Sequence, residues 1–285
     1  MIYLTSFKFV NSEDEDNFRF SLNHTCYSTI YPFGILSKHQ IEKIEFDPIT
    51  IFYGGNGSGK TTALNIISEK LKLQRDNLYN KSNFYDEYLH RCKYNAKNIP
   101  LKSRIITSDD VFDFTMNLRY LNEGLNRQRE MFLDEAFQRK FSKYQIKTLD
   151  DYDEFKRTIF AKKHSQSEFV RQNMGTNLRE YSNGESAFIY FTEKIQSNAL
   201  YLLDEPENSL SPKKQQELLQ FIQDSARFYE CQFIIATHSP FLLSLKDAKI
   251  YDFDENPVRI KHWTELENVR DYYDFFKVHE KEFNK

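Results

Sequence analysis

The residues at positions 54–62 have the types and the spacing of a polyphosphate-binding loop. They fit the pattern G-x-x-x-x-G-K-[ST] and read Gly54-Gly55-Asn56-Gly57-Ser58-Gly59-Lys60-Thr61-Thr62. Four of the chain's eight glycines lie in the first six of these positions, where a backbone must curl with its N–H groups turned inward. A bound nucleotide would have Lys60 at its β and γ oxygens and the Thr61 hydroxyl at its Mg²⁺. The loop therefore predicts a nucleotide-binding protein.

Two later apolar strands end in residues that could complete such a site. The strand at 199–203 leads directly into Asp204 and Glu205, and the strand at 232–237 leads into His238. Carboxylates at a buried strand end are costly unless a cation or a catalytic task holds them. We expect Asp204 to hold Mg²⁺ through its water shell, Glu205 to orient or polarise an attacking water, and His238 to contact the γ-phosphate. Glu205 is the residue that separates hydrolysis from mere binding.

The surrounding elements predict an α/β fold whose parallel strands bring these residues to one edge, because ligands bind outside the carboxyl ends of such strands. A buried strand at Ile49–Tyr53 precedes the phosphate loop, and a helix over 61–73 follows it. Ser182 is placed to cap a helix that runs to about residue 197. Other strands are predicted at 2–9, 18–22, 44–46, 104–107, 249–253 and 258–261. The strand at 18–22 is expected to be the hairpin partner of the first, across an acidic turn.

Residues 110–181 are charged and predicted to be helical, with a break at Asp150 and Asp151. This stretch shows no sustained heptad repeat, so a long coiled-coil arm is not expected. Its second half carries an excess of basic residues, which could be a solvated helix face or a surface for nucleic acid or a partner. The basic residues are Lys156, Arg157, Lys162, Lys163, Arg171 and Arg179.

Composition limits the remaining classes. The formal net charge is −3 and the pI about 6.2, so no global field draws the whole molecule to nucleic acid or anionic lipid. The three cysteines are far apart and show no C-x-x-C spacing, which argues against a disulfide framework and a zinc site. No apolar run approaches the roughly 20 residues of a spanning helix. We expect a soluble cytoplasmic protein that does not enter a membrane.

Together with Ser182-Asn183-Gly184-Glu185, these motifs resemble those of the ATP-binding-cassette (ABC) ATPases. The phosphate loop, the signature segment, the acidic strand end, a D-loop counterpart and the switch histidine occur in the family's order. Other details look like the RecF/SMC-like and OLD-like branch: Asn56, Glu185, Asp204-Glu205-Pro206-Glu207 and Thr237-His238-Ser239-Pro240. Two segments also look like small stand-alone bacterial predicted ATPases of the AAA family: Tyr31-Pro32-Phe33 and Phe275-Phe276.

The resemblance implies a P-loop NTPase with an ABC-ATPase-like core sheet at 1–109 and 182–285 and a helical insertion at 110–181. It implies ATP and Mg²⁺ as ligands and a head-to-tail homodimer that forms when ATP binds. Ser182 and the amides near Gly184 would then close on the γ-phosphate bound by the partner. Asn183 and Glu185 belong to the same nucleotide-contacting segment.

Three questions stay open at this point. No glutamine follows the strand at 104–107, so Ser108 or Asp109 is a candidate for the Q-loop position. Tyr31 and Phe33 could stack on adenine, although core packing is the commoner role of such residues. For the purpose of the cycle, one expectation from the branch resemblance and the basic residues is nucleic-acid processing or defence, with DNA or RNA bound. The alternative is a regulatory subunit that controls a partner toxin, nuclease or other effector, and a transporter subunit fits the motif details least.

Overall fold

The computed structural model describes residues 1–22, 26, 27, 29–141, 152–173 and 183–283. The chain divides into two compact units, one formed by Met1–Phe112 with Asn183–Lys285 and the other by Asp113–Ser182. In the described part of the chain, no helix is long and apolar enough to cross a membrane.

The strands of the described residues all belong to the first unit. They are β1 (Leu4–Lys8), β2 (Lys43–Glu45), β3 (Ile49–Tyr53), β4 (Lys93–Ala96), β5 (Arg104–Thr107), β6 (Leu200–Asp204), β7 (Gln232–Ala236), β8 (Lys249–Asp252) and β9 (Arg259–Lys261). The main sheet has six strands in the order β5-β6-β7-β3-β8-β9. Its first five strands are parallel and β9 is antiparallel to β8. The central strands β3, β6 and β7 are buried along their whole length, as near-continuous apolar runs of a parallel sheet should be.

The helices of the described residues include one that leads from the first unit into the second. They are α1 (Ser12–Ser21), α2 (Lys60–Leu71), α3 (Tyr85–Arg91), α4 (Ser108–Phe141), α5 (Tyr152–Lys163), α6 (Gln166–Asn173), α7 (Asn183–Lys194), α8 (Pro212–Phe228), α9 (Pro240–Leu243), α10 (Glu267–Val278) and α11 (Glu280–Phe283). Helix α4 has 34 residues and is therefore about 51 Å long at 1.5 Å per residue. The expected break at residues 150 and 151 lies outside the described residues.

A small antiparallel sheet, in the order β2-β1-β4, packs beside the main sheet. The side chain of Gln232 in β7 joins the two sheets. Its Oε1 accepts from the N–H groups of Tyr3 and Leu4 at 2.7 and 2.8 Å, and its Nε2 donates to the Leu4 carbonyl at 2.8 Å. These bonds satisfy a buried amide that would otherwise cost free energy.

The predicted hairpin at residues 18–22 is wrong, because this stretch forms the second half of α1. Asn11 caps the helix by accepting a hydrogen bond from the N–H of Asp14 at 2.7 Å, and the acidic residues of the first turn suit the positive end of the helix dipole. Phe18 is buried whereas Phe20 is 85% exposed. The strand partners of β1 are β2 and β4 instead.

Within the second unit, α4, α5 and α6 meet in a small apolar cluster. Its buried members are Ala136, Ala161 and Phe169, with Phe132 and Phe160 packed against them. Ala161 and the buried Thr158 lie on one side of α5, while Lys156, Arg157, Lys162 and Lys163 are exposed on that helix.

Candidate nucleotide site

The register of three parallel strands brings the predicted site residues to one edge of the main sheet. Ala236 in β7 pairs with Phe52 in β3 on one side and with Asp204 in β6 on the other. The backbone continues this pairing past the strand ends, because the Glu205 N–H donates to the Ala236 carbonyl at 2.9 Å and the Thr237 N–H to the Phe52 carbonyl at 3.1 Å. The loops that follow β3, β6 and β7 therefore start side by side.

The phosphate loop runs from the end of β3 to the start of α2, as the sequence predicted. Gly59 has φ +92°, and an added Cβ would lie 3.0 Å from Leu36 Cδ2, so both backbone and space call for glycine here. Lys60 is 4% exposed. Its Nζ donates to the carbonyls of Gly54 at 2.7 Å and Gly55 at 2.8 Å. The ammonium group is thereby held within the loop at the amino end of α2, where anions bind favourably.

Asp254, in the turn between β8 and β9, also contacts the loop. The Gly55 N–H donates to its two carboxylate oxygens at 2.9 and 2.8 Å. An added Cβ on Gly54 would lie 2.7 Å from Ser58 Oγ and 3.1 Å from Asp254 Oδ1, which leaves no space for a side chain there. Asp254 was not among the residues predicted from the sequence to form the site. Asp254 lies two residues after the end of β8, a strand that pairs with β3 in parallel, and this position was the available signal.

Thr61 and Asp204, the two predicted Mg²⁺ residues, are in direct contact. The Thr61 hydroxyl donates to Asp204 Oδ1 at 3.0 Å. Burial raises the pKa of Asp204 to about 7, and the negative charge of Glu205 adds to that effect, while the Thr61 hydrogen bond and the charge of Lys60 oppose it. A buried carboxylate with this preference is stabilised in its ionised form by a divalent cation.

The donor set fits Mg²⁺ at a nucleotide. Among the described residues, no group of three or more His, Cys, Asp or Glu side chains is placed to hold a metal ion. Mg²⁺ at phosphate sites is usually held by one or two carboxylates together with phosphate oxygens and waters, so a hydroxyl and one carboxylate, from Thr61 and Asp204, suffice.

Glu205 and His238 lie together beyond Asp204. Glu205 has φ +47°, an uncommon conformation for a residue with a side chain and one that clusters at functional sites. Its Oε2 accepts a hydrogen bond from Asn208 Nδ2 at 3.1 Å, and its Oε1 lies 3.9 Å from His238 Nδ1. Both side chains are partly exposed, at 26% and 48%, so they can reach a ligand. Asn208 belongs to the predicted D-loop counterpart.

A cavity of about 400 Å³ opens beside Thr61 and Asp204. Tyr31 lines it, with its hydroxyl 3.4 Å from Thr62 Oγ1. Phe33, the other aromatic candidate, is 5% exposed and stacks on Phe18 with ring centroids 4.1 Å apart. Of the two, Tyr31 is therefore the one that faces the cavity.

Ser108 and Asp109, the two candidates for the Q-loop position, lie at the same cavity. Helix α4 begins at Ser108, and Ser108 and Asp109 both line the cavity. The side chain of Asp110 fixes this turn, because its Oδ2 accepts from the Thr107 N–H at 2.6 Å and from the Thr107 hydroxyl at 2.9 Å. Either candidate residue can thus face Thr61 and Asp204 in the cavity that all four residues line.

The signature segment is only partly described. Ser182 lies outside the described residues, and Asn183 is the first residue of α7, followed by Gly184 and Glu185. An added Cβ on Gly184 would lie 3.3 Å from the Ser209 carbonyl oxygen. The signature helix and the D-loop counterpart therefore approach each other closely through their backbones.

A sequence model of one family matches residues 69–244, which is more than half of the chain. The family is described as "AAA domain, putative AbiEii toxin, Type IV TA system". The chain belongs to this AAA-domain family. The matched stretch contains Asp204, Glu205 and His238 and begins after the phosphate loop. Membership in this family confirms the resemblance stated from the sequence.

No curated protein matches the AAA-domain chain, whereas many solved structures do. One is a nucleotide-free ATP-binding cassette from an ABC transporter, at 17% identity, TM-score 0.39, and coverage of 81% of this chain and 90% of that one. Another is the SMC head domain from Thermotoga maritima, at 14% identity, TM-score 0.34, and coverage of 77% of this chain and 92% of that one. A third is the Smc head domain with an extended coiled coil bound to the C-terminal domain of ScpA, derived from Pyrococcus furiosus. Its identity is 14% and its TM-score 0.36, with coverage of 83% of this chain and 95% of that one.

Proposed function

We propose that this AAA-domain protein hydrolyses ATP to ADP and phosphate in a Mg²⁺-dependent reaction in the cytoplasm. The observation that carries the proposal is the in-register alignment of β3, β7 and β6. It places the phosphate loop, His238 and the pair Asp204 and Glu205 side by side. A loop that only bound nucleotide would not need a glutamate next to the magnesium residues.

The residues divide the reaction between them. The loop amides and the amino end of α2 bind the phosphates, and Lys60 leaves its carbonyl partners for the β and γ oxygens. Bound Mg²⁺ at Thr61 and Asp204 would neutralise charge that develops on the phosphates. Glu205, oriented by Asn208, holds and polarises the attacking water. His238 contacts the γ-phosphate.

The adenine base of ATP is proposed to lie in the cavity beside Thr62. Tyr31 would stack on adenine there, since aromatic rings bind bases through their faces. Tyr79 and Arg75 also line the cavity, and the Arg75 guanidinium lies 4.2 Å from the Tyr79 ring centroid.

Two substitutions separate binding from chemistry. Glu205→Gln keeps the shape of the side chain but removes the charge that polarises water, so ATP should still bind while turnover falls by about 100-fold or more. Lys60→Ala should lose ATP binding itself. Binding is measured with a fluorescent ATP analogue and turnover by phosphate release. Retention of tight ATP binding in Lys60→Ala would argue against this loop as the nucleotide site.

We further propose that ATP binding produces a head-to-tail homodimer. The support is the signature at Ser182 to Glu185 and the close backbone approach of Gly184 to Ser209, which couples the signature to the D-loop counterpart. Light scattering of Glu205→Gln with saturating Mg²⁺ and ATP should give twice the mass found without nucleotide. A monomeric mass at high protein concentration would contradict this dimer model.

The output of the cycle is proposed to be nucleic-acid processing or defence, and the exposed basic side chains of α5 supply a candidate contact surface. If they bind DNA or RNA, affinity should fall steeply with salt. Replacing Lys156, Arg157, Lys162 and Lys163 with alanine should weaken that binding and leave ATP binding intact. Unchanged nucleic-acid affinity in this variant would exclude the surface.

The alternative is control of a partner effector, and the family description favours it because it names a toxin and a type IV toxin–antitoxin system. Affinity capture with Glu205→Gln and ATP distinguishes the two outputs. A protein recovered at fixed stoichiometry supports effector control, and nuclease-sensitive material supports nucleic-acid processing.

A further inference from the structure

A buried carboxylate links the turns that carry Glu205 and His238. Glu207 is 6% exposed. Its Oε1 accepts hydrogen bonds from the Thr237 hydroxyl at 2.6 Å and from the backbone N–H groups of His238 at 3.0 Å and Ser239 at 3.2 Å. One oxygen atom therefore fixes three consecutive residues centred on the histidine.

His238 and Ser239 also form hydrogen bonds with residues of two other elements. The His238 carbonyl accepts from Asn268 Nδ2 in α10 at 2.8 Å, and Ser239 Oγ donates to Gln215 Oε1 in α8 at 2.6 Å. Of these three partners, Glu207 alone belongs to the turn that also carries Glu205. Its position therefore ties the location of the histidine to that of the catalytic glutamate.

The imidazole of His238 lies close to both carboxylates. His238 Nδ1 is 3.5 Å from Glu207 Oε1 and 3.9 Å from Glu205 Oε1. Glu207 is buried, whereas Glu205 and His238 are partly exposed. The arrangement has one fixed inner carboxylate and two outer groups that can reach a ligand.

Stability alone is a poor explanation for Glu207. Burying a carboxylate costs free energy that an apolar residue would not. Its Oε2 is buried and has no hydrogen-bond partner among the described residues, although buried polar atoms are normally satisfied. The incomplete pairing indicates that the side chain serves the three donors on its other oxygen.

We propose that Glu207 is a positioning residue for ATP hydrolysis, which fixes residues 237–239 so that the imidazole of His238 stays beside Glu205 while the γ-phosphate is bound. This inference rests on the proposed ATPase function. Glu207 acts through His238 and does not touch the nucleotide. Loss of this positioning misplaces a group at the reacting phosphate, and a misplacement of about 1 Å costs on the order of 100-fold in rate.

A series at position 207 separates geometry from charge. Glu207→Gln keeps the length and one acceptor oxygen, and Glu207→Ala removes both. For Glu207→Ala we expect kcat to fall by about 100-fold with little change in KM for ATP, because the lost interaction acts in the transition state. Glu207→Gln should have a kcat much closer to that of the wild type. Equal losses in the two variants would overturn positioning, because they would make charge the essential property.

A matched pair at Thr237 tests the same contact without removing the carboxylate. Thr237→Ser keeps the hydroxyl that donates to Glu207, whereas Thr237→Val has a similar shape and no hydroxyl. We expect a lower kcat in Thr237→Val than in Thr237→Ser, and both variants stay informative if Glu207→Ala fails to fold. Equal kcat values in the pair would contradict the proposal.

A readout that does not depend on turnover separates this inference from the ATPase proposal. The chain has seven histidines, and His238→Asn identifies the imidazole signal of His238 in the NMR spectrum of nucleotide-free protein. Glu207→Ala should shift that signal and leave the other histidine signals in place, and Glu207→Gln should shift it less. An unmoved His238 signal in Glu207→Ala would overturn the positioning role, whether or not the wild type hydrolyses ATP. Absence of hydrolysis by the wild type would by itself refute only the ATPase proposal.

Discussion

Replacing Gly59 with alanine should destabilise the protein more than the same change at Gly57 in the same loop. Both glycines have left-handed φ angles, +92° and +85°. An added Cβ at Gly59 would lie 3.0 Å from Leu36 Cδ2 and 3.3 Å from Ile35 Cγ2, whereas one at Gly57 would meet no atom within 4 Å. The two variants therefore share a backbone cost but differ in packing.

The size of each effect follows from these contacts. The left-handed conformation costs alanine roughly 1–2 kcal/mol at either position. At Gly59 the methyl group must also displace Leu36, which is 0% exposed and cannot turn into solvent, and overpacking of this kind costs roughly 1–3 kcal/mol. The free energy of unfolding should thus fall by about 1–2 kcal/mol in Gly57→Ala and by about 2–5 kcal/mol in Gly59→Ala.

Urea unfolding of nucleotide-free protein, followed by far-UV circular dichroism, measures both losses against the wild type. With unchanged slopes, the midpoints report stability directly. Coincident midpoints for the two variants would refute the packing of Gly59 against Leu36. A Gly57→Ala variant as stable as the wild type would refute the backbone cost.

Substitutions at three further positions test separate parts of the structure. Asp204 has a folded-state pKa raised to about 7 from 3.8, so without Mg²⁺ its contribution to the free energy of unfolding is full below pH 4 and is lost as pH rises through 7. Asp204→Asn should remove that component, whose slope is at most about 1.4 kcal/mol per pH unit, and an unchanged pH–stability curve would contradict it. Tyr31→Ala should weaken ATP binding by about 5- to 150-fold and Tyr31→Phe much less, because the ring and not the hydroxyl stacks; equal affinities would exclude Tyr31 as the base contact. Gly124→Ala, at a helical position where a Cβ meets nothing within 4 Å, should raise the free energy of unfolding by about 0.5–1 kcal/mol, and a loss in the same urea assay would contradict an open helical site.

The central strands and the motifs at their ends were predictable from the sequence because each is a local signal. The strand before Gly54, the one before Asp204 and the one before His238 are apolar runs that stop at polar residues. The parallel-sheet rule then places their ends together, and the structure has them in register.

The errors and omissions lie where tertiary contacts decide. The spacing of Phe18, Phe20 and Leu22 fits a strand, yet Phe20 is exposed and the cap at Asn11 starts a helix. Glu207 was noted only as part of the segment Asp204-Glu205-Pro206-Glu207, without a role of its own, and Asp254 was not singled out at all. Their partners, at 237–239 and at Gly55, are distant in sequence, so no local pattern could reveal those hydrogen bonds.

The most direct test of the proposed function is steady-state phosphate release by purified wild-type protein and Glu205→Gln, assayed side by side with saturating ATP and Mg²⁺. Wild type should release phosphate continuously and stop when Mg²⁺ is chelated, while Glu205→Gln should be slower by about 100-fold or more. Equal rates in the two proteins would contradict the role of Glu205. Absence of release by the wild type, alone and with added nucleic acid, would contradict the proposed ATPase activity.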